Sequence, residues 1–116
     1  MGTSACYAEQ KPVQIHFVSQ SPHTFAYKVW VGRPNDPDWQ LLDQGDITTP
    51  PKAFGPFPSG TKLDYCLLIH GSPKADWQVQ LMLSQDGVLL ACSPPAERGQ
   101  TDDKSTADRE TVVTLA

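Results

Sequence analysis

The most regular pattern in the chain runs from Asp76 to Ser93. Trp77, Val79, Leu81 and Leu83 alternate with Gln78, Gln80, Met82 and Ser84, the two-residue period of a strand with one buried face. Asp86-Gly87 follows and predicts a hairpin turn, because Gly tolerates positive φ, before a second apolar strand begins at Val88. Other segments follow the same rule. Val13, Ile15 and Phe17 alternate with Gln14 and His16, and Ser19-Gln20-Ser21-Pro22 ends that strand. Phe25, Tyr27, Val29 and Val31 alternate with Ala26, Lys28 and Trp30, closed by Gly32-Arg33-Pro34. Pro34-Asn35-Asp36-Pro37 reads as a turn, since Pro fixes φ and Asn and Asp bond their own backbone. Trp39 to Leu42 makes a short third strand, Leu63 to Ile69 a continuously apolar one, and Thr111 to Leu115 the last. The apolar run at 63–69 is expected at the centre of a sheet, buried on both faces.

The connections bound the architecture. Pro50 to Gly60 holds four prolines and two glycines, so it cannot join a central ladder. It is expected to be an irregular crossover between sheets, with Phe54 and Phe57 as plugs. Residues 96–109 are polar without an apolar stripe to dock a helix, and a flexible loop is expected there. No helix-period segment or internal repeat stands out. Seven short strands at near-regular spacing predict an all-β, antiparallel two-sheet sandwich.

One segment adds to this. Pro58-Ser59-Gly60-Thr61-Lys62-Leu63-Asp64-Tyr65 resembles the turn leading into the tyrosine-corner strand of fibronectin type III and related immunoglobulin-like domains. The general architecture is therefore expected to be immunoglobulin-like. Three predicted strands follow Tyr65 where that family has one, so neither topology nor function is carried over.

Composition narrows the function classes. A chain of 116 residues with 39% hydrophobic and 19% charged residues suits one globular domain, expected over residues 11–116. Residues 1–10 are expected to be a disordered or expression-derived leader. They show no basic start or apolar stretch, so no signal peptide is visible and the compartment stays open between cytoplasm and export. Ser4-Ala5-Cys6 has the small residues that precede a lipidated cysteine, but no apolar segment leads into it. A net charge of −4 argues against nucleic acid as partner, and no apolar run approaches the roughly 20 residues of a membrane span. Cys6, Cys66 and Cys92 are an odd count in no paired motif. A Cys66–Cys92 disulfide is geometrically conceivable, but buried reduced thiols are the expectation.

Candidate chemistry is sparse. Ser, His and Asp all occur, but the Gly-x-Ser-x-Gly elbow of a hydrolase does not, and the chain is expected not to be an enzyme. Cys66 and His70 share a strand face with Asp64, and His16 could approach them, which suggests zinc or copper. The four-residue spacing holds Cys66 and His70 roughly 13 Å apart, too far for one ion. Asp102, Asp103, Asp108 and Glu110 could serve calcium, but Lys104 and Arg109 interleave them and the loop-motif spacing is absent. No metal and no cofactor are expected.

What remains is surface. With Tyr27, Val79, Leu81 and Leu83 in the core, Trp30 and Met82 point outward, with Leu89 and Val112 beside them. A contiguous apolar patch marks a binding surface, and Trp and Met are favoured anchors. The chain is thus expected to be a non-catalytic binding or structural module that engages a protein partner or a second copy through these four residues. The alternative is a carbohydrate or small-ligand module in which Trp39, beside Asp36 and Asp38, or the loop pair Phe54 and Phe57 stacks on a sugar.

Overall fold

The periodicity of the sequence becomes a periodicity of burial. In the computed structural model, which describes residues 6–19, 24–46 and 48–116, nine strands run in chain order. They are β1 (Val13–Ser19), β2 (Thr24–Gly32), β3 (Gln40–Asp46), β4 (Lys52–Phe54), β5 (Thr61–His70), β6 (Asp76–Gln85), β7 (Val88–Leu89), β8 (Glu97–Gln100) and β9 (Thr106–Leu115). One sheet has the order β4-β1-β6-β7, with β8 pairing a second stretch of β6, and the other has the order β3-β2-β5-β9. All pairings are antiparallel. The all-β two-sheet sandwich is as expected, and among the described residues no helix is long and apolar enough to cross a membrane. The predicted Ser19–Pro22 turn and the Ser4-Ala5 pair fall, in part or whole, outside the described residues.

Alternate residues of the two sheets meet in one core. Val13, Ile15, Phe17, Trp77, Val79, Leu81 and Leu83 come from the five-stranded sheet, and Phe25, Tyr27, Val29, Val31, Leu63, Tyr65, Leu67 and Ile69 from the other. Phe17 bridges them, its ring 4.2 Å from that of Tyr27 and 5.5 Å from that of Tyr65. The Asp86-Gly87 turn forms as predicted, with φ of 52° and 78°, the doubly left-handed geometry that matches strand twist.

Several expectations are corrected. β5 is central in its sheet, but only one of its faces is buried: Lys62, Leu68 and His70 are exposed and Asp64 and Cys66 half-buried. The apolar run had hidden an open face. Residues 96–109, expected as a loop, contain β8 and the first part of β9. Backbone pairing at a sheet edge needs no apolar partner, so polar residues there left no period to read. β4, inside the Pro-rich crossover, is likewise an edge strand.

The cysteines pair differently too. Cys6 and Cys92 form a disulfide, Cα to Cα 5.5 Å, and Cys66 is the free thiol. The bonded Cys6 sulfur is not available for lipidation. Residues 6–10 depart from the expected disordered leader, because they close one end of the sandwich. Tyr7 is buried, and its hydroxyl accepts the Phe57 N–H at 2.7 Å. The buried Gln85 amide accepts from Ala8 N–H and donates to the Ala8 and Lys11 carbonyls, and the Glu9 carboxylate accepts the Ser59 N–H.

Candidate binding face

The strands β2, β3, β5 and β9 present their non-core residues on one outer face, and register fixes their neighbours. Leu41, Trp30, Asp64 and Val112 lie in line across the sheet. The next line is Gln44, Lys28, Cys66 and Glu110, and the third is Asp46, Ala26, Leu68 and Asp108. Over the second and third lines runs an open groove of about 800 Å³. Its floor includes Ala26, Cys66 and Leu68, with Asp46 on the β3 side and Asp108 and Glu110 on the β9 side. Leu41, Leu68 and Val112 are 51%, 44% and 52% exposed, and Trp30 is half-exposed.

A bulge shapes this face. The β2–β3 register shifts between Val29 and Trp30, so Leu42 is an extra residue between Leu41 and Asp43. Leu41 therefore stays outside, Leu42 packs against the core, and Asp43 turns inward. There Asp43 accepts the Tyr27 hydroxyl at 2.9 Å and the Lys52 ammonium at 3.2 Å. Burial, then the bond to Asp43 and its negative charge, pushes the Tyr27 phenol up to about 12. Burial and the nearby Glu97 charge do the same to Tyr65, also to about 12. That hydroxyl lies against Thr111.

The sign of the effect on stability follows. Unfolded tyrosines lose their protons near the ordinary value of 10.0, whereas folded Tyr27 and Tyr65 keep theirs to about 12. Their contribution is complete below 10 and lost as pH rises through the folded values. An alkaline absorbance titration should show Tyr27 and Tyr65 ionising late, with folding stability falling over the same window. Ionisation of Tyr27 and Tyr65 near the ordinary value in the folded chain contradicts it.

On the open face, desolvation and then the neighbouring Glu110 hold the Asp64 carboxyl above the usual carboxylate range. Desolvation, then Glu110 and Asp64, raises the Cys66 thiol, with Lys28 opposing. The Cys66 thiol donates to Glu110 Oε2 at 3.8 Å.

The four expected anchors are not brought together. Trp30 and Val112 share the outer face just described, separated by Asp64. Met82 opposes His16, and Leu89 opposes Ser84, on the outer face of the other sheet. Leu41 and Leu68 are the neighbours missed from sequence, and Glu110, weighed there only for calcium, stands beside Cys66. Leu68 sat in the run read as wholly buried, and Glu110 between the supposed loop and the last predicted strand.

The loop aromatics also separate. Phe57 is 3% exposed, with the Arg33 guanidinium 5.5 Å from its ring centroid, so it is a core residue and not a sugar platform. Phe54 is half-buried against the core. Trp39 keeps an exposed face while its ring covers Gly32, where an added Cβ would meet it at 3.0 Å. Asp36 and Asp38 are exposed, and Asp36 Oδ1 accepts the Asp38 N–H. His70 is exposed at the end of β5 and His16 lies on the other sheet, so neither joins Cys66. Asp102 organises its own turn, accepting N–H groups of Lys104 and Thr106. Those two bonds hold its carboxyl below the usual range, and Asp103 pairs with Lys74.

Comparison with protein-family models, curated proteins and solved structures returns no match.

Proposed function

We propose that this domain is a non-catalytic binding module that engages a protein partner through the outer face of its β3-β2-β5-β9 sheet. The observation that carries the reading is the apolar row of Leu41, Trp30 and Val112 bordering a groove floored by Ala26 and Leu68. Such a patch loses little by giving up water and marks a contact surface. Its chemistry favours one kind of occupant. Asp46 stands on one side and Asp108 and Glu110 on the other, against Lys28 in the middle. A partner segment that combines aliphatic or aromatic side chains with flanking Lys or Arg complements both features.

A second copy of the chain fits less well. Each copy carries a net charge of −4, and a two-fold contact would set acidic margins against acidic margins. Sheet-edge pairing is also guarded, because Asp108, Arg109 and Glu110 crowd the outer strand β9. The Cys6–Cys92 disulfide supports an oxidising compartment as the place of work.

The test is selection of random peptides displayed on phage, followed by binding to Leu41→Asp and Val112→Asp variants. Enriched peptides should be apolar and basic and should bind either variant at least ten-fold more weakly, while sedimentation shows a monomer. No enrichment, equal binding by the variants, or a dimer that the two substitutions dissociate overturns the reading.

A further inference from the structure

The groove has a feature that peptide recognition does not call for. Asp64 and Cys66 are two residues apart on β5 and so share its outer face, and Glu110 of β9 stands directly opposite Cys66. One ligand atom from each of the three lies within 4.8 Å of the others. We propose that Asp64, Cys66 and Glu110 form a binding site for a divalent transition metal of the zinc class.

The distances suit such an ion. Zn–S of about 2.3 Å and Zn–O of about 2.1 Å at a tetrahedral angle place sulfur and oxygen about 3.6 Å apart. The Cys66 Sγ to Glu110 Oε2 distance is 3.8 Å, close to that spacing, and an Asp64 oxygen lies within 4.8 Å of both neighbours. A second, independent observation comes from Asp64. Its Oδ1 is shut off from solvent and accepts no hydrogen bond, which is costly for a carboxylate oxygen. The carboxyl is close enough to Glu110 for the two to share a proton when no cation is bound. A cation held between Asp64 and its two neighbours would supply the missing partner.

The donor set selects the class of ion. One thiolate with two carboxylates is too soft for calcium or magnesium, which take oxygen alone, and lacks the sulfur pairs and imidazoles that favour copper. Three protein ligands leave a fourth tetrahedral position for water or an outside donor. Lys28, opposite Cys66 on β2, is the nearby competing cation. The site differs from the pairing weighed on sequence, which joined Cys66 to His70 and left out Glu110. It does not rest on the partner reading, and its test uses the protein alone.

The experiment titrates the tag-free chain with Co²⁺ and then displaces the Co²⁺ with Zn²⁺. One Co²⁺ per chain should bind and give a near-ultraviolet thiolate-to-metal charge-transfer band, because Cys6 and Cys92 are tied up in the disulfide. Cys66→Ser should remove the band, and Glu110→Gln should weaken Zn²⁺ binding at least ten-fold. Glu110 is exposed on an edge strand, so this variant keeps the fold, which circular dichroism verifies. Absence of a stoichiometric band in the parent chain, or a smaller loss of affinity in Glu110→Gln, overturns the proposal.

Discussion

Loss of the Cys6–Cys92 disulfide, by reduction or by the double substitution Cys6→Ala/Cys92→Ala, is expected to lower folding stability by about 4 kcal/mol. The bond joins residues 86 apart, so in the unfolded chain it closes a loop of nearly the whole domain. Loop-closure entropy grows with the logarithm of length, which places this bond toward the upper part of the usual range. The folded state loses less, because Tyr7, Ala8 and Glu9 keep their own hydrogen bonds to Phe57, Gln85 and Ser59. Urea unfolding of the oxidised and reduced chain measures the difference. Cys66→Ala serves as the control and should stay within about 1 kcal/mol, since that thiol is half-buried and unpaired with another sulfur. Equal losses in the control and the double variant contradict this account.

Trp77→Ala is expected to cost about 3–5 kcal/mol. Its ring is 2% exposed, with the Arg109 guanidinium 5.2 Å from its centroid. Gly99 lies opposite it on β8, where an added Cβ would come within 3.2 Å of the ring. Truncation removes one of the largest buried side chains and leaves a void between strands that cannot fully close. Trp39→Ala is the informative contrast, with a ring 45% exposed and expected to cost about 1 kcal/mol or less. Urea midpoints of the two variants should therefore separate clearly. Similar midpoints would show that the sheet interior does not hold the fold in the way described.

These contrasts also show what was legible. The alternation at Trp77–Leu83 and Phe25–Val31 identified core positions correctly, because a strand with one buried face writes its period into the sequence. The edge strands β4 and β8 wrote none, since their ladder bonds are backbone bonds. The Cys6–Cys92 pairing depends on the N-terminal segment lying against the stretch between β7 and β8, which no local spacing reveals. Leu41 faces outward because of a bulge set by the β2–β3 register. Met82 and Trp30 both point away from the core, yet residue-by-residue reading could not show that they sit on opposite sides of the sandwich. The Asp64–Cys66–Glu110 cluster needed β9 to start before Thr111 and pair with β5 in a register that sets Glu110 opposite Cys66, which the sequence does not reveal.

The central claim is that the outer face of the β3-β2-β5-β9 sheet is the working surface. Amide chemical-shift mapping during titration with a selected apolar, basic peptide tests it most directly. The account predicts that the largest shifts fall on Trp30, Leu41, Leu68, Glu110 and Val112. Shifts centred instead on His16, Met82 and Leu89 would contradict it, because they would place the contact on the opposite sheet.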